Sequence, residues 1–101
     1  MLPDQLEALQ EKELIDFWSL RAGCLAQLQN DHMIILRDCL NLGDEGYNAL
    51  LKVLARQKEK LEDEFVERYG QLQRIHEMEW RLVKDIQARW DAFVKGKPFK
   101  P

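Results

Sequence analysis

The chain has 101 residues, enough for one domain with a modest core. Its 15 Lys+Arg against 18 Asp+Glu leave a net charge of −3, and charges of both signs are interspersed, which argues against a dedicated nucleic-acid binder. There is a single serine (Ser19), no threonine, no proline between Pro3 and Pro98, and sixteen leucines against nine Val and Ile together. Sheets need β-branched strands and turn-forming residues, so all-β and α/β folds are excluded.

The N-terminal stretch Met-Leu-Pro-Asp-Gln-Leu-Glu carries neither a basic nor an apolar region, so no secretory signal is expected. No apolar run approaches the ~20 residues of a membrane span. A cytoplasmic location follows as the expectation, with Cys24 and Cys39 as reduced, partly buried thiols. On one straight helix these two lie roughly 22 Å apart, beyond the reach of an intrachain disulfide. A disulfide across a dimer is the alternative.

The first helix is expected to open at Asp4, which forms a capping-box-like spacing with Glu7. From Leu6 to Leu42 no strong breaker intervenes, although Gly23 and Asn30-Asp31 are weak points. A repeat runs through Leu14, Trp18, Arg21, Leu25, Leu28, His32, Ile35, Cys39 and Leu42. Phe17, Leu20, Cys24, Ile34, Leu36 and Leu40 flank it, giving an apolar face broader than a two-stranded coil uses.

Asn41-Leu42-Gly43-Asp44-Glu45-Gly46 is the strongest punctuation in the chain. Gly43 suits a left-handed position after a helix and Asp44 suits the N-cap of the next. So short a connection makes the two helices antiparallel neighbours. Trp18 then faces about Tyr69, and Asp4 faces about Val83.

The second helix, from about Glu45 to Lys95, carries two heptad sets. One is Leu51, Lys58, Phe65, Leu72, Glu79, Ile86, Phe93; the other is Tyr47, Leu54, Leu61, Arg68, Ile75, Leu82, Arg89. Ten of these fourteen positions are apolar, which reads as a coiled-coil-like seam with Arg68 and Arg89 snorkelling past it. A break near Gly70 would instead give a three-helix bundle. Nothing after Gly70 resembles an N-cap, and the heptad runs through it, so a continuous helix is preferred. Acid-before-base pairs at i,i+4 (Glu64/Arg68, Glu77/Arg81, Asp85/Arg89) agree. The expected fold is therefore an all-α antiparallel helical hairpin turning at about 42–45. Residues 1–95 form one domain and 96–101 a short basic tail.

The two helices are unequal. The second outruns the first by about 12 residues, ~18 Å, and this overhang carries Ile86, Trp90, Phe93 and Val94. A second stripe runs along the later half of the same helix: Val66, Tyr69, Gln73, His76, Trp80, Val83, Gln87, Trp90 and Val94. Together the two stripes cover more of the helix than one neighbour can bury, and exposed large aromatics invite association. The expected interface residues are Trp18, Tyr69, His76, Trp80, Val83, Ile86, Trp90 and Phe93.

Chemistry finds little support. His32 and His76 are the only histidines, and no CxxC, HExxH or paired Cys/His spacing appears, so no metal site and no cofactor are expected. Ser19 has no nearby histidine, and there is no phosphate-binding loop. A small helical enzyme of the chorismate mutase kind would need converging cations, for which Arg21, Arg37, Lys52 and Arg56 near the hairpin are the candidates. Lys95, Lys97 and Lys100 are fewer than a lipid-binding cluster requires. In size and acidity the chain is similar to the helical-hairpin export chaperones of type III secretion and flagellar systems, a likeness that no shared motif accompanies. It implies a small chaperone or adaptor that holds a partner's amphipathic helix. The preferred expectation is a non-enzymatic helical interaction protein, self-associating or a subunit of a larger coiled-coil assembly, with protein partners and neither nucleic acid nor a membrane span.

Overall fold

With no proline between Pro3 and Pro98, little in the sequence stops a helix except its glycines. The computed structural model describes residues 3–96 and shows two long helices in an antiparallel hairpin: α1 (Pro3–Asp38) and α2 (Gly43–Val94). A 3₁₀ turn, Leu40–Leu42, joins them, and no strand occurs among the described residues. The helix α2 passes through Gly70 without a break, so the three-helix alternative is not favoured.

Pro3 rather than Asp4 begins α1. The first helical position has no use for a backbone N–H, so proline suits it. Asp4 consequently lies inside the first turn, where it meets the positive end of the helix dipole instead of capping it. At the other end Cys39 N–H still reaches Ile35 O at 3.0 Å, and Leu42 N–H closes the tighter turn on Cys39 O at 3.3 Å. Gly43 follows with φ 75°, a backbone conformation that a side chain would strain. Asp44 and Glu45 then occupy the first turn of α2, so Asp44 too sits one step inside its expected cap position. The helix stops where Gly96 adopts φ 69° and its N–H bonds to Phe93 O at 3.1 Å.

The hairpin packs as two compact units. One spans Ile15–Tyr69 and contains the turn. Leu54 and Phe65 are its buried residues, and Phe17 sets its ring against Phe65 and Tyr69, each at 5.8 Å between centroids. Trp18 lies 5.4 Å from Tyr69, the pairing expected from a turn at Gly43. The other unit combines the described residues before Ile15 with those from Gly70 onward. Leu6 and Val83 are its buried apolar residues, accompanied by buried Gln10 and His76.

The packing follows a repeat of eleven residues, not seven. Along α1 the inward positions run Pro3, Leu6, Gln10, then Leu14, Phe17, Arg21, then Leu25, Leu28, His32, then Leu36 and Cys39. All of them are buried or half-buried. Along α2 the same pattern of three, four and four runs Tyr47, Leu50, Leu54, then Lys58, Leu61, Phe65, then Tyr69, Leu72, His76, then Trp80 and Val83. Only Lys58 in this series is exposed. Eleven residues in three turns is close to the pitch of a straight helix, whereas a strict heptad drifts ~20° per repeat. By Ile75, three heptads beyond Leu54, the expected seam has rotated about 60° off the contact line. The heptad expectation is corrected accordingly. Ile75, Leu82, Ile86 and Phe93 face solvent, and Tyr69, His76, Trp80 and Val83 take over the contact. The same shift replaces Trp18 and Ile35 by Phe17 and Leu36 on α1.

Candidate interaction surface

In the unit at the open end, the inward stripe of α2 carries polar side chains, and each must find a partner. Gln10 of α1 is buried, and its amide is used on both sides. Nε2 donates to the His76 carbonyl at 3.1 Å, and Oε1 accepts from the Trp80 indole N–H at 2.8 Å. A buried amide left unpaired would cost roughly 1–3 kcal/mol, so this arrangement makes a polar layer tolerable. Next to it, His76 Nε2 stands 3.5 Å from Glu13 Oε2, the outer limit of a hydrogen bond. Glu79 Oε1 is sealed from solvent with no hydrogen-bond partner. Glu13, His76 and Glu79 each bring one potential ligand atom to within 4.8 Å of the others.

A second stripe, about 100° round the same stretch of α2 from the buried one, is apolar and open. Ile75, Met78, Leu82, Ile86, Trp90 and Phe93 succeed one another at spacings of three and four, and all are exposed. Leu82 retains 60% of its accessible surface and Phe93 76%, values ordinary for lysine rather than for leucine or phenylalanine. The Trp90 and Phe93 rings lie 5.8 Å apart, and with Ile86 and Arg89 they line a hollow of about 360 Å³. Val94 is exposed as well. Arg89 turns toward Asp85 at 3.3 Å, leaving its stem along the apolar edge.

The expected interface residues divide by environment. His76 and Val83 are buried within the chain, and Tyr69 and Trp80 are half-buried in the same contact line. Ile86, Trp90 and Phe93 are exposed. Trp18 is intermediate in character: one side meets Phe17 and Tyr69, Arg21 lies 5.7 Å from its ring centroid, and nearly half its surface is open. The tail residues Lys97, Phe99 and Lys100 lie outside the described residues.

A second hollow, about 450 Å³, opens in the turn-containing unit beside Leu25, Leu28, His32, Leu36 and Lys58. It sits where the α2 repeat places a lysine. Lys58 sends its ammonium out toward Glu62 at 3.9 Å, so that layer lacks an apolar side chain. Cys24 and Cys39 are both free and half-buried.

Gln10 and Glu13 were not among the expected functional residues. Gln10 shares its place in the eleven-residue repeat with Arg21 and His32, so the correct period would have marked it as an inward polar position. Glu13 has no such signal, since its partner His76 is 63 residues away. No helix of the described residues is long and apolar enough to cross a membrane. Comparison of the chain with protein-family models, curated proteins and solved structures returns no match.

Proposed function

We propose that this is a non-enzymatic helical interaction protein that self-associates through the exposed stripe of α2. The observation that carries this reading is the division of labour around that helix. One stripe is covered by α1, while the other, from Ile75 to Phe93, is apolar, periodic and uncovered. Six large apolar side chains at helical spacing make a continuous band about 27 Å long, which suits another helix lying alongside. Burying such side chains against a partner contributes roughly 1.5–3 kcal/mol each, which favours association over leaving the band in water.

Sedimentation equilibrium tests the proposal directly. At tens of micromolar the wild type should run heavier than its 12.0 kDa chain mass, and Trp90→Glu/Phe93→Glu should run as a monomer. A monomer in both ends the self-association reading and leaves the stripe to an amphipathic helix of a different protein, as in an adaptor or chaperone.

A further inference from the structure

We propose that Glu13, His76 and Glu79 form a binding site for one first-row divalent metal ion of the zinc type, held between α1 and α2. Their ligand atoms lie within 4.8 Å of one another. Glu79 Oε1 is closed off from water and accepts no hydrogen bond. Native structures rarely leave a buried carboxylate oxygen in that state unless a proton donor or a cation serves it. His76 is only 8% exposed, and the 3.5 Å from its Nε2 to Glu13 Oε2 is long for a direct bond. An ion with bonds of about 2.1 Å in tetrahedral geometry holds its ligands roughly 3.4 Å apart. His76 and Glu13, at 3.5 Å, therefore already stand at the spacing a metal imposes, with Glu79 inside the same 4.8 Å cluster.

The backbone supports the same arrangement. His76 and Glu79 are three residues apart on α2, which places both side chains on one face toward Glu13 of α1. Metal sites in helical bundles likewise combine a glutamate from one helix with a Glu and a His three residues apart on another, there in the order Glu-x-x-His and here reversed as His76-x-x-Glu79. One imidazole nitrogen and two carboxylates suit a borderline cation, and two negative charges match its own. Glu13 keeps 37% of its side-chain surface in water, which gives an ion an entry path and supplies water for the remaining coordination. The site lies off the exposed stripe, so it stands or falls independently of self-association.

The test uses the full chain, stripped with chelator and titrated with Zn²⁺ by calorimetry and with Co²⁺ by visible absorption. The expected result is one ion per chain at micromolar affinity, a Co²⁺ spectrum of low coordination number, and a higher melting temperature with metal. Glu79→Gln and Glu13→Gln should each weaken binding at least about tenfold while far-UV circular dichroism stays unchanged. Absence of binding at about 100 μM Zn²⁺ overturns the proposal. So does equal affinity in wild type and both variants, which would place the ion elsewhere, for instance at the thiol of Cys24 or of Cys39.

Discussion

Trp80 and Gln10 meet across the helix pair at 2.8 Å, indole N–H to amide oxygen, and the same amide donates to the His76 carbonyl. The contact joins residues 70 apart in sequence and fixes the open end of the hairpin with directional bonds. Removing either partner leaves a buried polar group of the other unmatched, so the two losses should not add. Trp80→Phe leaves Gln10 Oε1 without its donor, and Gln10→Leu orphans the indole; each should destabilise by about 1–3 kcal/mol. The double variant should fall short of the sum by 0.5 kcal/mol or more, on the order of a contacting pair. Urea denaturation followed by circular dichroism at one fixed protein concentration measures the cycle.

Two glycines should respond to alanine with opposite signs. Gly43 has φ 75° with ψ 172°, a region essentially reserved for glycine, so Gly43→Ala should destabilise by about 1–3 kcal/mol. Gly70 lies in the interior of α2, and an added Cβ would meet nothing within 4 Å. Gly70→Ala should therefore stabilise by roughly 0.5–1 kcal/mol. Thermal melts of the two variants should move to either side of the wild type.

The hollow beside Lys58 should accept an apolar side chain. Lys58→Leu restores the missing layer of the eleven-residue repeat against Leu25, Leu28 and Leu36. The ion pair it removes is exposed and 3.9 Å long, so little is lost with it. A gain of about 0.5–2 kcal/mol is expected, read as a higher urea midpoint with an unchanged slope.

Neighbouring positions on α2 should differ sharply. Phe65 is 3% exposed and meets Phe17 edge to face, whereas Val66 is 71% exposed. Phe65→Ala should cost about 3–5 kcal/mol and Val66→Ala within about 0.5 kcal/mol. Equal losses at both sites would show that the contact face of α2 has been misidentified.

Much of the hairpin is written locally. Gly43 sits between two long stretches without a breaker, and its position alone pairs Trp18 with Tyr69, as the rings show. The surplus apolar surface on the later half of α2 is also legible, because two stripes at helical spacing exceed what one neighbour covers. Which stripe α1 would choose was not legible. The heptad through Ile75, Leu82 and Ile86 is the more apolar of the two, yet α1 packs on Tyr69, His76, Trp80 and Val83. A helix close to its straight pitch keeps an eleven-residue contact line, and hydrophobicity alone does not reveal that choice. The Glu13, His76 and Glu79 convergence was hidden for a different reason. It depends on two helices meeting at one height, and no spacing within either strand of sequence records it.

The polar layer at Gln10 also limits how the two rods can be aligned. If α1 slid along α2 by one repeat, Arg21 would arrive where Gln10 now stands. A guanidinium has no acceptor, so the Trp80 indole would lose its only described protein partner and a cation would enter beside His76. An apolar side chain at position 10 would make no directional bond for such a slip to break. An amide, able to give and receive at once, acts as a notch that admits one position.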